Sequence, residues 1–142
     1  RNYHTLHVLP AAGGEPLVLE TSIARTRLKS VVARVTRRRK ERSWTYRVAG
    51  AAWGGARPIA RVEVRIDQGA WQPARIDERR GPHAWLLWSL EAGALAPGRH
   101  TVVSRAIDDR GAVQPGAAEW RSGIRSARED NSQWERVIVV PA

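Results

Sequence analysis

The sequence predicts an all-β protein, an antiparallel β-sandwich of about seven strands with an N-terminal arm. Three observations predict this fold. Apolar and polar residues alternate with a period of two in several short runs, turn signals recur roughly every eight to twelve residues, and no stretch carries a sustained helical period. The 142 residues suffice for one domain with one buried core.

The arm comprises residues 1–26, where Pro10, Gly13, Gly14 and Pro16 interrupt any regular period. We expect a linker there, with a short strand at residues 17–19. The sandwich then occupies residues 27–142. Its first predicted strand covers residues 27–35, and the charged run 36–43 is interpreted as a loop.

The rest of the chain is organised around residues 44–71. Residues 44–48 and 60–66 alternate as strands do, with Val62 and Val64 on one face of the second strand and Glu63 on the other. A glycine-rich corner separates the two strands and excludes a continuous helix. A hairpin is expected at residues 67–69, because Gly69 can take the positive φ that a tight turn needs.

Three further strands and one irregular segment complete the predicted fold. Residues 71–76 are expected to pair back on the preceding strand. Residues 84–90 are apolar on both faces, which favours an inner strand covered on both sides. Residues 99–107 form the next strand, which ends in a turn at residues 108–111. Residues 114–131 are interpreted as irregular, and residues 134–140 as the last strand.

The composition bounds the function. The net charge of +10 comes from 22 Arg and 2 Lys against 14 acidic residues, and this skew, beside abundant Ala and Gly, indicates a GC-rich coding bias. The charge therefore bears mainly on solubility and nonspecific binding. The absence of cysteine excludes disulfides, thiolate metal ligands and cysteine nucleophiles. The sequence shows no signal-peptide pattern, and because it starts at Arg1 we expect a processed protein or a fragment.

Tryptophan is the main aromatic residue, with seven copies and no Phe. Core packing is favoured for most of them, because burying an indole removes a large apolar area from water. Exposed, coplanar indoles would instead indicate a carbohydrate-binding module. We expect four tryptophans in the structural core: Trp53, Trp71, Trp85 and Trp88. Trp120 and Trp134 are candidates for lining an interface.

Residues 37–40, Arg-Arg-Arg-Lys, form the densest basic cluster. We interpret it as a solvated hairpin tip, with phosphate or nucleic-acid binding as the alternative. Base stacking requires aromatic side chains, and none is interleaved within this run. A basic nucleic-acid-binding sandwich is therefore kept only as an alternative function.

No catalytic residue and no metal site is predicted in this chain. Two of the histidines are three residues apart, a spacing that suits a metal only on a helix, and the nearby proline and glycines oppose a helix. Asp108 and Asp109 project to opposite sides of an extended chain, so they are interpreted as turn formers rather than as a paired acid. The four histidines are His4, His7, His83 and His100.

Several short motifs, taken in order, resemble one known family. They are residues 50–55 (GAAWGG), 62–71 (VEVRIDQGAW), 84–88 (AWLLW), 97–98 (PG), 105–108 (RAID), 114–115 (QP), 120 (W) and 134–137 (WERV). In their order and spacing they resemble the carboxy-terminal dimerisation domain of sulfite-oxidase-type molybdenum enzymes, over about residues 28–140. The resemblance implies an immunoglobulin-like sandwich.

The resemblance also implies a division of labour. A preceding domain would hold the molybdopterin cofactor and its cysteine ligand, so no cofactor is expected in this chain. The chain would be a non-catalytic part of an oxidoreductase that transfers oxygen to or from an oxyanion. Its partners would be a second copy of itself and the cofactor domain, with no nucleic acid and no membrane. Residues 1–26 would form the connection, and an exported or periplasmic location is favoured over a cytoplasmic one.

The sequence departs from the family pattern in two places. The hairpin at residues 67–71 is one residue shorter than the usual turn. Eukaryotic members carry an arginine a few residues after the tryptophan that matches Trp120, and it reaches the substrate anion pocket. Arg121 and Arg125 lie on either side of that position, so the resemblance implies them as substrate-pocket candidates.

Overall fold

The computed structural model describes residues 4–9, 13–15, 17–22, 26–55, 57–79, 81, 84–122 and 130–142. Side chains are not described for residues 4–9, 20–22, 78–79 and 121–122. The elements are β1 (His4–Leu9), β2 (Leu17–Ser22), β3 (Lys29–Lys40), β4 (Ser43–Trp53), β5 (Ile59–Ile66), β6 (Gln72–Pro73), β7 (Arg75–Arg79), β8 (Leu86–Gly93), β9 (Gly98–Asp108), α1 (Ala117–Ser122) and β10 (Glu135–Val140). Within these ranges no helix has the length and apolar character that crossing a bilayer demands.

Two four-stranded antiparallel sheets face each other across one apolar core. One sheet has the order β3-β4-β8-β7 and the other β10-β9-β5-β6, while β1 pairs with β2. The period-two pattern explains the core, since every second residue of the central strands points between the sheets. The all-β sandwich that the sequence predicts is thereby confirmed. The buried cluster comprises Val48, Ala52, Leu86 and Trp88 from the first sheet and Ile59, Val62, Val64, Val102 and Ala106 from the second.

Trp88 is the largest fully buried side chain, with 1% of its surface exposed. It lies opposite Gly50 on the neighbouring strand β4. A Cβ atom at Gly50 would overlap the Trp88 ring and the Val31 carbonyl oxygen, so only glycine leaves room for the indole there. Losing such an indole typically costs about 3–5 kcal/mol of stability.

The loop expected at residues 36–43 is wrong. β3 continues to Lys40, the chain turns at Glu41 and Arg42, and β4 begins at Ser43. Cross-strand contacts explain the extension, because the register places Arg39 opposite Trp44 and both Arg37 and Arg39 lie over the Trp44 ring.

The hairpin at residues 67–69 is present, but its left-handed residue is Asp67, with φ 52°, and not Gly69. Aspartate tolerates this conformation because its short carboxylate bonds nearby backbone. Here the Asp67 carboxylate accepts a hydrogen bond from the Thr101 N–H at 2.8 Å.

The segment expected to pair back on β5 divides between the two sheets. β6 pairs with β5, whereas β7 pairs with β8 in the opposite sheet. Ala74 lies at this crossing, and its N–H donates to the Val62 carbonyl at 2.9 Å. A one-residue crossing of this kind leaves no turn signal in the sequence.

Strand β8 is an inner strand of its sheet, as expected, but its outer face is only partly covered. Leu86 and Trp88 are buried, whereas Leu87 on the opposite face is 44% exposed. The expectation that Trp85 belongs to the core is wrong, since 63% of its surface is exposed. Residues 85 and 88 are an odd number of positions apart, so they point to opposite faces of an extended chain.

Candidate functional site

A pair of stacked indoles, the half-buried Trp53 and the exposed Trp85, lies on the outer face of the sheet β3-β4-β8-β7, so Trp53 also lies outside the core in which it was expected. Trp53 ends β4 and Trp85 precedes β8, and the register that pairs Ala52 with Leu86 brings the two tryptophans together. Their ring centroids are 4.9 Å apart and their planes are inclined by 22°. This is an offset-stacked geometry that aromatic pairs prefer.

The apolar surface continues along the same face. Val31, Ala51 and Leu87 are neighbours across β3, β4 and β8. Ala51 and Leu87 lie two residues along their strands from Trp53 and Trp85, on the same face of the sheet. We refer to the five side chains Val31, Ala51, Trp53, Trp85 and Leu87 as the tryptophan face. These five side chains carry no charge, and the register places one charged residue beside each end of the set, Lys29 opposite Trp53 and Glu78 opposite Leu87.

A compact polar network borders the tryptophan face. The Arg47 guanidinium donates to Ser89 Oγ at 2.9 Å, lies 3.3 Å from Asp77 Oδ2 and approaches Glu91 at 3.5 Å. Burial by itself would raise the pKa of Asp77, but the hydrogen bond from Ser89 and the charges of Arg75 and Arg47 hold it below its ordinary value. The charges at this border are therefore largely compensated.

Trp71 lies outside the core, which corrects the expectation for this residue. It is half-buried on the outer face of the other sheet, where the Arg105 and Arg65 guanidinium groups lie 4.0 and 4.8 Å from its ring centroid. Glu63 pairs with Arg105 at 2.7 Å and with Arg61 at 2.9 Å. This outer face is a charged ladder rather than an apolar surface.

A smaller apolar strip follows the edge strand β10. Val137 and Val139 are 40% and 74% exposed, and Trp134, just before the strand, is 56% exposed. The Lys29 ammonium lies 3.7 Å from the centroid of the Trp134 ring and donates to the Asp130 carbonyl at 2.6 Å.

The basic residues 37–40 lie on a two-stranded ribbon. β4 pairs with β8 only as far as the pair Tyr46–Gly93, so residues 37–45 of β3 and β4 extend beyond the neighbouring strand. We call residues 37–45 the basic ribbon. The Arg37 and Arg39 guanidinium groups lie 4.6 and 6.0 Å from the Trp44 ring centroid. An aromatic ring is thus interleaved with the cations across the strands, which the sequence run did not show.

None of the described residues forms a group of three or more His, Asp or Glu side chains that would hold a metal ion, and the chain has no cysteine. His100 is held between Asp67 Oδ2 at 2.7 Å and the Ala96 carbonyl at 2.8 Å. Asp108 accepts from two backbone N–H groups of its own turn, those of Arg110 and Ala112. His83 lies outside the described residues, as do the side chains of His4 and His7.

The two substrate-pocket candidates are not brought together by described geometry. Arg121 belongs to α1, but its side chain lies outside the described residues, as does the whole of Arg125. The described chain resumes at Asp130, five residues after Arg125. The Asp130 carbonyl accepts a hydrogen bond from the Lys29 ammonium.

Comparison with known proteins decides the family. The family model for the Mo-co oxidoreductase dimerisation domain matches residues 20–140. This chain belongs to the Mo-co oxidoreductase dimerisation domain family. The motifs at residues 50–55, 84–88 and 114–115 are therefore those of a dimerisation domain of sulfite oxidase-like proteins, and the alternative sandwich modules receive no support.

The dimerisation domain is similar to parts of much longer proteins. Human mitochondrial sulfite oxidase is 36% identical over 99 residues, which are 65% of this chain and 18% of that protein. Nitrate reductase [NADH] 1 of Phaseolus vulgaris is 33% identical over 93 residues, 56% of this chain and 11% of that protein. The crystal structure of the sulfane dehydrogenase SoxCD from Paracoccus pantotrophus shares the fold, with a TM-score of 0.66 and 24% identity over 96% of this chain and 37% of that one.

The family is one of molybdenum-cofactor enzymes, but the described residues do not fit a molybdenum centre. They offer neither a thiolate ligand nor a cluster of imidazole and carboxylate groups. No step of a reaction is assigned to the described residues.

Proposed function

We propose that this dimerisation domain joins two subunits of a molybdenum-cofactor oxidoreductase through the tryptophan face, and that it braces a preceding cofactor domain in each subunit. The observation that carries the proposal is the stacked pair of the half-buried Trp53 and the exposed Trp85, continued by the exposed Leu87 across the sheet. Exposed indoles within a polar border are typical of the centres of protein interfaces.

The tryptophan face suits a two-fold contact, in which the same surface of each copy meets the other. Its side chains are uncharged, and the bordering Arg47, Asp77 and Glu91 pair among themselves. The basic ribbon does not suit such a contact, because it would bring two clusters of like charge together.

The bracing role is supported by where the chain enters the sandwich. The Leu28 carbonyl accepts from Asn131 Nδ2 at 3.1 Å, and the Asp130 carbonyl accepts from Lys29 at 2.6 Å. The segment that carries Arg121 and Arg125 therefore ends beside the entry of the chain. This proximity supports the proposal that the segment faces the preceding domain, to which residues 1–26 connect.

We propose an oxyanion as the substrate class of the parent enzyme, with Arg121 or Arg125 near the entrance of its site. The names of the relatives include both a sulfite oxidase and nitrate reductases. We therefore propose the class of substrate, an oxyanion, and not a particular anion.

The charge-introducing variant Leu87→Glu tests the tryptophan face. The purified dimerisation domain is expected to sediment as a dimer, and L87E as a monomer, because the contact would desolvate an unpaired carboxylate. A penalty of about 3 kcal/mol for such a group corresponds to a roughly hundredfold higher dissociation constant.

Val139→Glu is the control, because it places the same charge at an apolar position on β10 that is more exposed than Leu87, 74% against 44%. It is expected to leave the dimer intact. Dissociation by V139E but not by L87E would place the contact on β10, and a wild-type domain that stays monomeric would also contradict the proposal.

A further inference from the structure

The basic ribbon combines high charge with fixed positions for that charge. Its residues 37–42 carry five cations and one carboxylate, Glu41. Arg37 and Arg39 lie on the same side of the ribbon as Trp44, because the register pairs Arg37 with Tyr46 and Arg39 with Trp44. Stacking on the indole holds two guanidinium groups in place, which lowers the entropy that binding an anion would cost.

β3 is also the edge strand of its sheet. Side chains bond to the outward backbone of its first half: Gln114 Oε1 accepts from the Ser30 N–H at 2.8 Å, and the Arg136 guanidinium donates to the Ala33 carbonyl at 3.0 Å. Along residues 34–40, by contrast, the described part of the chain places no strand on that side. This half of the edge therefore presents backbone groups on which another strand can pair.

An apolar groove adjoins the open half of the edge. It has a volume of about 390 Å³ and lies between the base of the ribbon and the end of β10. Val35 and Tyr46 are on the interior side of β3 and β4, whereas Arg34 and Arg38 are on the outer side. The lining residues are Val35, Arg37, Tyr46, Ile138, Val139 and Pro141.

A strand added along residues 34–40 would point alternate side chains toward the groove and toward the outer-side arginines. The groove on the interior side suits apolar side chains, and Arg34 and Arg38 on the outer side suit carboxylates. A second copy of β3 does not meet these requirements, because its own cations would face those of the first copy.

We propose that the edge of β3 from Arg34 to Lys40, with the adjoining groove, binds an extended acidic segment of another protein in which carboxylate and apolar residues alternate. Main-chain hydrogen bonds to β3 supply the alignment, and the arginines select the charge. This surface lies at the opposite end of β4 from Trp53, so the segment binds independently of the contact at the tryptophan face.

The test uses a fluorescein-labelled peptide that alternates glutamate and valine and matches residues 34–40 in length. Fluorescence anisotropy at about 0.1 M salt is expected to show saturable binding to the domain. The same peptide N-methylated at every second amide is expected not to bind, because it lacks the donors of an added strand. Arg38→Glu is expected to weaken binding by about tenfold, since it replaces a charge-assisted contact by repulsion.

Arg110→Glu is the matched control, as it makes the same change of charge at the exposed turn after β9, outside the residues that form the proposed surface, and it is expected to leave binding unchanged. Equal binding of the N-methylated peptide would show nonspecific attraction and would overturn the proposal. So would tighter binding of a duplex DNA of the same net charge that displaces the peptide, because phosphate recognition would then be the property of the ribbon. Thermal melting of both variants separates loss of binding from loss of fold.

Discussion

Replacing Gln114 by leucine tests the hydrogen bonds that connect β3 of one sheet with β9 of the other. Gln114 is fully buried, and its side chain connects three parts of the chain. Its Oε1 accepts from the Ser30 N–H of β3 at 2.8 Å and from the Ala106 N–H of β9 at 3.2 Å, while its Nε2 donates to the Ser132 carbonyl at 3.1 Å. Leucine has a similar volume but none of these groups.

The expected loss follows from the groups left unpaired. Two buried N–H donors and the Ser132 carbonyl lose their partners, and the Ser30 carbonyl loses a longer bond from Nε2 at 3.4 Å. Each buried group left without a partner costs about 1–3 kcal/mol. Because an apolar side chain recovers part of this loss, we expect a destabilisation of roughly 3–6 kcal/mol, a large part of the stability of an ordinary domain.

Urea denaturation followed by tryptophan fluorescence measures this change. The midpoint is expected to fall while the slope stays constant, since the folded state remains compact. Val113→Ala is the control, because Val113 is the neighbouring residue and is 45% exposed. A loss of less than about 1 kcal/mol in Q114L would refute the reasoning, because the network would then contribute no more than one ordinary hydrogen bond.

Two further predictions concern the core and the effect of pH. Gly50→Ala is expected to destabilise the domain by about 1–3 kcal/mol or more, because the added Cβ overpacks against Trp88 and Val31. Gly116→Ala is the control and is expected to be neutral, because a Cβ there meets no atom within 4 Å. Equal denaturation midpoints for the two variants would contradict the expected effect of Gly50→Ala. The carbonyl of Ala96 and then the carboxylate of Asp67 raise the pKa of His100, so its contribution to stability is present below the ordinary histidine pKa and is lost as pH rises through the raised value. Thermal melting from below the ordinary histidine pKa of 6.5 to alkaline pH is expected to show this loss in the wild type and not in His100→Gln, and identical pH profiles would disprove the role of His100.

The sandwich was predictable because its main signals are local. The alternation at residues 60–66 requires one apolar face, and the structure buries Val62 and Val64 there. The motifs around Trp53, Trp88 and Gln114 also pointed to the family, which the match over residues 20–140 confirms. The structure supplies a physical reason for one of them, since Gln114 bonds both sheets.

The missed features depend on pairing between strands. A run of four basic residues resembles a loop until Trp44 is placed opposite Arg39. Similarly, the crossing at Ala74 depends on which sheet each neighbouring residue joins. Trp85 is different, because its odd spacing from Trp88 is a property of the sequence and requires the two indoles to lie on opposite faces of an extended strand. With Trp88 in the core, that spacing alone places Trp85 on the outer face.

The most direct test of the central claim is the molar mass of the intact parent enzyme, measured by light scattering together with its molybdenum content. The account predicts a molybdenum-containing dimer, and a Leu87→Glu variant that keeps its molybdenum but has the mass of one subunit. A wild-type enzyme that holds molybdenum as a monomer, or a dimer that L87E leaves unchanged, would contradict it.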